Sequence, residues 1–306
     1  MTPHVCIVVL NWNDSDETLS CLESLRGLDY PSFDVVVVDN GSTDDSVATI
    51  RERHPEVTVL EARSNLGFTG GNNLGLRWAL DCGADYGLLL NNDTELTPSF
   101  LTLIVAAAEE DPHVGIAGPL ILYYDRPDTI WSAGGHIDWL RGTANMIGLN
   151  ESDAGQFGAT PHDVDFVTGC ALLIKADVMR RLGLLDDRFF AYYEDTEWCL
   201  RAWRAGYRTV LVPQARIWHK ISPIAREASP SVHYLMTRNR LLFLRAMRAG
   251  MPAWLYTLVG DYARTLLSWS VRPRWRSKRP QRRAMIRAIL DAGRGRWGAY
   301  PEGAGG

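Results

Sequence analysis

Five short apolar runs, at residues 5–10, 35–38, 57–60, 86–90 and 115–122, alternate with four stretches of helical periodicity at 18–28, 44–54, 72–82 and 99–110. Runs that are apolar without alternation and rich in β-branched residues suit strands buried on both faces. Helical stretches between them supply the covering layers, so the pattern predicts an α/β fold with a mostly parallel sheet covered on both sides. Ser42, three residues before Asp45, predicts a capping-box-like start for the second helix. In such sheets ligands bind beyond the carboxyl ends of the strands. The chemistry is expected on that rim.

Further along, residues 130–160 loosen into Gly, Asp and Asn around short strands. A strand-like run at 164–175 and helices at 176–182 and 192–205 follow, then a closing strand at 207–212 that Pro213 should stop. From Pro230 to Gly293 the chain reads as helical and basic, and residues 298–306 as a frayed end. Charge divides along the same line. Residues 1–225 hold 16 Lys/Arg against 32 Asp/Glu, whereas residues 226–306 hold 16 against 4. The expected organisation is one acidic domain at 1–225 and a basic helical extension at 226–306.

An extension of this charge suggests a tail that meets phosphates, on lipid or on nucleic acid, the alternative being a solvated helical appendage. Trp254, Trp269 and Trp275 among the arginines suit a membrane interface better than a base-stacking platform, so an anionic membrane surface is the expected partner and nucleic acid is not. The apolar stretch 251–271 is interrupted by Gly260, Asp261 and Arg264, which fits a helix lying in the interface rather than crossing it. The five cysteines are scattered without metal-type spacing and mostly inside apolar runs, as in a reducing compartment. The N-terminus enters an apolar run directly, with no basic n-region or small-residue cleavage site, so no signal peptide is expected. The expectation from these features is a cytoplasmic chain, with peripheral attachment at the inner face of the cell membrane as the role of the extension if it binds lipid.

Each strand of the first half ends in a polar cluster: Asn11-Trp12-Asn13, then Asp39-Asn40-Gly41-Ser42, then Asn65 through Asn73, then Asn91-Asn92-Asp93. Asn, Asp and Gly are turn residues, and one cluster alone is turn chemistry. Four on one rim line a single crevice. Glycines at 67, 70 and 71 admit backbone N–H groups close to a phosphate or ribose. Asp39 can accept from a pyrimidine N3–H or a ribose hydroxyl, and Asp93 is a hard oxygen ligand for Mg²⁺ or Mn²⁺. No G-x-G-x-x-G follows a strand and no P-loop occurs, which disfavours dinucleotide and P-loop nucleotide binding.

These residues resemble glycosyltransferase family 2. The similarity lies in IVVLNWN at 7–13, VVVVDNGSTDDS at 35–46, NLGFTGGNN at 65–73 and LLLNNDTE at 88–95. It continues through GCALLIK at 169–175, GLLDDRFF at 183–190, YEDTEWCLR at 193–201 and Trp218-His219. It spans residues 4–245 in the family's order and resembles the bacterial rhamnosyltransferase-like branch. The resemblance implies a GT-A fold with the nucleotide sugar bound by residues 1–125 and the acceptor by 126–225. Asn11, Asp39, Asn65, Gly67, Gly71, Asn72 and Asn92 would hold the donor. Asp93 stands at the family's metal-binding aspartate, with Asn91 replacing the first carboxylate of its Asp-x-Asp, and His219 matches a metal-completing histidine. Asp195 matches the general base, with Glu194 and Glu197 beside it.

The implied reaction is inverting, metal-dependent transfer of a sugar, rhamnose by branch analogy. The donor would be a dTDP- or UDP-sugar, since both bases present N3–H, and the acceptor a glycan or lipid-linked hydroxyl. Two other readings use the same parts. A non-catalytic nucleotide-sugar-binding protein would result from a misplaced Asp195. A sugar nucleotidylyltransferase would need a basic Gly-rich loop after the first strand, where Asn11–Ser15 stands instead.

Overall fold

The computed structural model describes residues 2–221 and 229–301. Its first half winds as β1 (Val5–Asn11), α1 (Ser15–Arg26), β2 (Phe33–Asp39), α2 (Ser46–Arg53), β3 (Thr58–Glu61), α3 (Gly67–Asp81), β4 (Tyr86–Asn91), β5 (Thr94–Leu96), α4 (Phe100–Glu110) and β6 (Val114–Tyr123). The short strands β7 (Ile130–Ser132), β8 (Gly135–Asp138), β9 (Thr143–Met146) and β10 (His162–Asp163) lead into β11 (Ala171–Lys175), α5 (Ala176–Leu182), α6 (Glu194–Arg204) and β12 (Arg208–His219). The extension comprises α7 (Pro230–Ala246), α8 (Met251–Leu255), a π-helical turn (Tyr256–Ala263), α9 (Arg264–Val271), a 3₁₀ stretch (Pro273–Lys278) and α10 (Arg279–Gly293).

The main sheet has the order β10-β12-β6-β11-β4-β1-β2-β3. Strand β1 is parallel to β2 and β4, β2 to β3, and β6 to β12, while β11 runs antiparallel between β4 and β6. One reversed strand therefore leaves the carboxyl ends of β1, β2, β4, β6 and β12 on a common rim. Asn11 and Asp39 are register partners there, and Leu10 pairs with Asn91. Strands β1 and β4 and the C-terminal half of β2 are buried on both faces, which is why their sequences are apolar without alternation.

Four local expectations change. Helix α3 starts at Gly67, not Asn72, because its glycines pack against the sheet: a Cβ on Gly71 would stand 2.4 Å from Leu10 Cδ1, and one on Gly75 2.2 Å from Val8 Cγ1. Ser42 does not cap α2, whose first residue is Ser46; its hydroxyl and N–H turn back to Asp39. Strand β12 passes Pro213, since the register jumps between Val212 and Arg216 and the proline needs no ladder partner in that bulge. Within 164–175 only Ala171–Lys175 is a main-sheet strand.

The extension shares the head's core. Leu241, Leu242, Phe243 and Leu244 of α7 are buried in one cluster with Phe166, Phe189 and Trp198, and each such side chain contributes roughly 1.5–3 kcal/mol on burial. The expected division at residue 225 lies outside the described residues, as do the last five residues of the expected frayed end.

Candidate active site

At the rim, Asn11 and Asp39 form the centre of a buried polar chain. Asn11 Nδ2 donates to Asp39 Oδ2 at 2.9 Å, and Asn11 Oδ1 accepts from Thr18 Oγ1 at 2.7 Å. Asp39 also accepts the Ser42 N–H at 2.9 Å and its hydroxyl at 2.5 Å. Asn92 joins the far end, its amide donating to Thr18 Oγ1 at 3.0 Å. Thr18 is thus a rim residue that the sequence hid among the polar residues of α1.

Asn65 and Gly67 build the neighbouring turn. Asn65 Oδ1 accepts the Gly67 N–H at 2.8 Å, and Gly67 takes φ +73°, where a Cβ would also meet the Phe190 carbonyl oxygen at 2.5 Å. Asn40 fastens this turn to β2: its Oδ1 accepts from Leu66 N at 2.9 Å and its Nδ2 donates to the Gly67 carbonyl at 3.1 Å. Gly71 and Asn72, expected on a donor loop, are instead buried inside α3. Gly71 lets the helix approach Leu10, and the Asn72 amide donates to the Phe68 carbonyl at 2.9 Å.

Asp93 and His219 meet although 126 residues separate them in sequence, because β5 pairs antiparallel with the end of β12, His219 opposite Thr94. His219 Nε2 lies 3.0 Å from Asp93 Oδ1. The approach lacks hydrogen-bond geometry, and Asp93 Oδ1 and His219 Nδ1 are buried without hydrogen-bond partners. Asn91 Nδ2 sits 3.5 Å from the same imidazole nitrogen, and Trp131 packs edge-on against the ring. Two ligands at right angles on an octahedral ion with bonds of about 2.0–2.1 Å would stand roughly 2.9 Å apart. The pair fits a divalent cation. Among the described residues no third His, Cys, Asp or Glu joins it, since Asn91 occupies that place.

Glu194 and Asp195 open α6, where three acidic residues in the first turn complement the helix dipole. The approach to them is strained: Phe190, Tyr192 and Tyr193 all have φ between 66° and 73°. Left-handed backbone at non-glycine residues costs on the order of 1–3 kcal/mol each and persists only where surroundings enforce it. Asp195 Oδ2 accepts the Gly169 N–H at 2.9 Å, and Oδ1 accepts the Thr196 N–H at 2.6 Å. Burial raises the Asp195 carboxyl above its ordinary range, against the lowering effect of those N–H donors. Glu194 is held well above its ordinary range, by burial first and the Asp195 charge second, and its Oε2 has no hydrogen-bond partner. Glu197 points elsewhere, accepting from Arg201 Nε at 2.9 Å.

Asp93, His219, Glu194 and Asp195 line one cleft of about 770 Å³. Asn11, Asp39, Asn65, Gly67 and Asn92 lie on the strand-end rim outside that lining. The cleft thus joins a carboxylate–imidazole pair and two buried carboxyl groups, next to a rim of fixed polar groups.

The model of the family described as "Glycosyl transferase family 2" matches residues 6–183, more than half of the chain. The chain belongs to glycosyl transferase family 2. It is a glycosyltransferase similar in sequence to rhamnosyltransferases. The dTDP-rhamnosyl transferase RfbF of Shigella flexneri is 25% identical over 80% of this chain and 81% of its own length. The N-acetylglucosaminyl-diphospho-decaprenol L-rhamnosyltransferase of Mycobacterium tuberculosis is 26% identical over 72% and 76%. Among solved structures, the mannosyltransferase PcManGT of Pyrobaculum calidifontis, in complex with GDP-Man and Mn²⁺, superposes with a TM-score of 0.62 at 16% identity. It covers 95% of this chain and 87% of that one, and the shared fold is GT-A.

Proposed function

We propose that this glycosyltransferase is inverting and divalent-metal-dependent. It would move rhamnose from a dTDP- or UDP-linked donor to a hydroxyl of a glycan or lipid-linked acceptor. The observation that carries the reading is the placement of Asp195 in the same cleft as the Asp93–His219 pair. A single displacement needs a base on one side of the anomeric carbon and charge stabilisation on the other.

Asp195, fixed by Gly169 and Thr196, takes the proton of the acceptor hydroxyl as its oxygen bonds to the anomeric carbon. The bond from that carbon to the diphosphate oxygen breaks, and the nucleotide diphosphate leaves with the electron pair. Asp93 and His219 would hold Mg²⁺ or Mn²⁺, which when bound neutralises charge on the diphosphate. Asn11, Asp39, Asn65, Gly67 and Asn92 would bind the nucleoside and ribose, with Gly71 and Asn72 supporting the turn from behind. In this division residues 1–225 would carry both substrates, and the described part of the extension, 229–301, shares the core and would face the membrane.

The acceptor side favours an anionic membrane surface as partner. Met251, Leu255, Val259, Leu267 and Val271 are exposed along α8, the π-helical turn and α9. The arginines at 272, 274, 276 and 279 continue that face, and Arg272, Arg276 and Arg279 border a basic hollow. No helix among the described residues is long and apolar enough to cross a membrane. This surface would sit peripherally on the inner leaflet beside a lipid-linked acceptor.

A panel of dTDP-, UDP- and GDP-sugars with Mn²⁺, read as released nucleotide diphosphate, tests the donor. Turnover strongest with dTDP-rhamnose is expected, and turnover confined to GDP-sugars would contradict the assignment.

A further inference from the structure

The loop that delivers Asp195 is held from the extension. Asn239, on α7, is fully buried, and the two hydrogens of its Nδ2 are shared among three loop carbonyls: Phe189 at 2.7 Å, Ala191 at 2.6 Å and Tyr192 at 2.9 Å. Its neighbour Arg238, also fully buried, donates from Nε and Nη2 to Asn239 Oδ1 at 3.0 and 2.8 Å. That fork fixes the amide's orientation: the oxygen must face the guanidinium, so the NH₂ must face the loop. Arg238 Nη2 reaches the Phe189 carbonyl as well, at 3.2 Å.

These bonds fall on the segment whose backbone is least favourable. Phe190, Tyr192 and Tyr193 carry positive φ, and Tyr193 is the residue from which α6 starts. A single planar amide gathers the carbonyls of Phe189, Ala191 and Tyr192, the first of which also accepts the Ala191 N–H at 2.8 Å. The other side of the loop is tied to the donor turn, where Phe190 O accepts the Thr69 N–H at 3.1 Å. The loop is thus stretched between α3 and α7, and Asp195 follows two residues after its last strained position.

We propose that Asn239, oriented by Arg238, is a positioning residue for the glycosyl transfer. It holds the 189–193 loop, with Phe190, Tyr192 and Tyr193 in left-handed conformation, in the course that aims Asp195 into the cleft. The proposal rests on Asp195 being the base. Asn239 touches neither substrate nor the reacting atoms, so its loss acts on turnover through the carboxylate's position. No hydrogen bond joins it to Asn11 or Asp39, which bond to each other, Thr18 and Ser42.

The test compares Asn239→Ala and Asn239→Ser with Leu241→Ala, a core truncation on the same helix without bonds to the loop. Using the full chain with dTDP-rhamnose and Mn²⁺, Asn239→Ala should lower kcat by about 10- to 100-fold while KM for the donor stays within about threefold. Asn239→Ser, which keeps one donor, should recover part of the loss and serves alone if the alanine variant does not fold. Leu241→Ala should lose stability yet keep kcat on the folded fraction. Amide hydrogen exchange at 190–196 should quicken in the Asn239 variants and not in Leu241→Ala. That arm needs no substrate, so it separates a failed clamp from a wrong donor or base. Unchanged exchange at 190–196, or equal kcat loss in Leu241→Ala, overturns the proposal.

Discussion

His219 Nε2 stands 3.0 Å from Asp93 Oδ1, and that oxygen has no hydrogen-bond partner. Buried carboxylate oxygens are almost always paired, and the divalent cation proposed between Asp93 and His219 would supply the partner this one lacks. The site has one carboxylate fewer than the Asp-x-Asp pattern because Asn91 supplies an amide. A charge-poor site of this kind depends strongly on each ligand that remains. Asp93→Ala should abolish measurable Mn²⁺ binding by calorimetry, and His219→Ala should weaken it by at least tenfold. Unchanged Mn²⁺ affinity in His219→Ala would make the histidine structural.

Glu194 gives a stability prediction with a definite sign. Its carboxyl is held well above the ordinary range in the folded protein, so the folded state keeps a proton that the unfolded state has released. Stability from this group is full below the ordinary carboxylate range and declines as pH rises toward the folded value. Glu194→Gln removes that decline. Its thermal midpoint should exceed the parent's at pH 7.5, with the gap closing near pH 4. A gap of the same size at both pH values would show that Glu194 is not raised.

The membrane attachment proposed for residues 251–271 and the arginines after them should be salt-sensitive. Each basic residue near an anionic surface contributes about 1 kcal/mol, screened within a Debye length. Vesicles containing anionic lipid should sediment the full chain at low salt and release much of it at high salt. Equal binding to neutral vesicles would contradict the electrostatic account.

Much of the fold is legible in the residues because β1, β2 and β4 are buried on both faces and announce it by unbroken apolar runs. The site's strand-end residues are legible for a related reason: Asn11, Asp39 and Asn91 stop those runs abruptly. What is not legible depends on contacts distant in sequence. Gly67, Gly70 and Gly71 read as a phosphate loop, yet all three lie in α3, where Gly71 is small because Leu10 lies beneath it. Pro213 reads as a strand stop, yet a register shift carries β12 on to His219. Nothing local marks Asn239, one polar residue in a basic helical stretch. Its partners are carbonyls some 50 residues earlier, so only the folded chain reveals it.

Asp195, held by the N–H groups of Gly169 and Thr196, is proposed to remove the acceptor proton. Asp195→Asn keeps the shape and accepts no proton. Transfer from dTDP-rhamnose to an acceptor should therefore fall by roughly 10²–10⁴-fold. Binding of dTDP with Mn²⁺, measured by calorimetry on the same protein, should remain within about threefold of the parent. The parent's kcat should lose activity on the acid side at a pH above that of an ordinary carboxylate, because burial raises this one. Near-full transfer by Asp195→Asn with intact dTDP binding would contradict the account and pass the base role to Glu194.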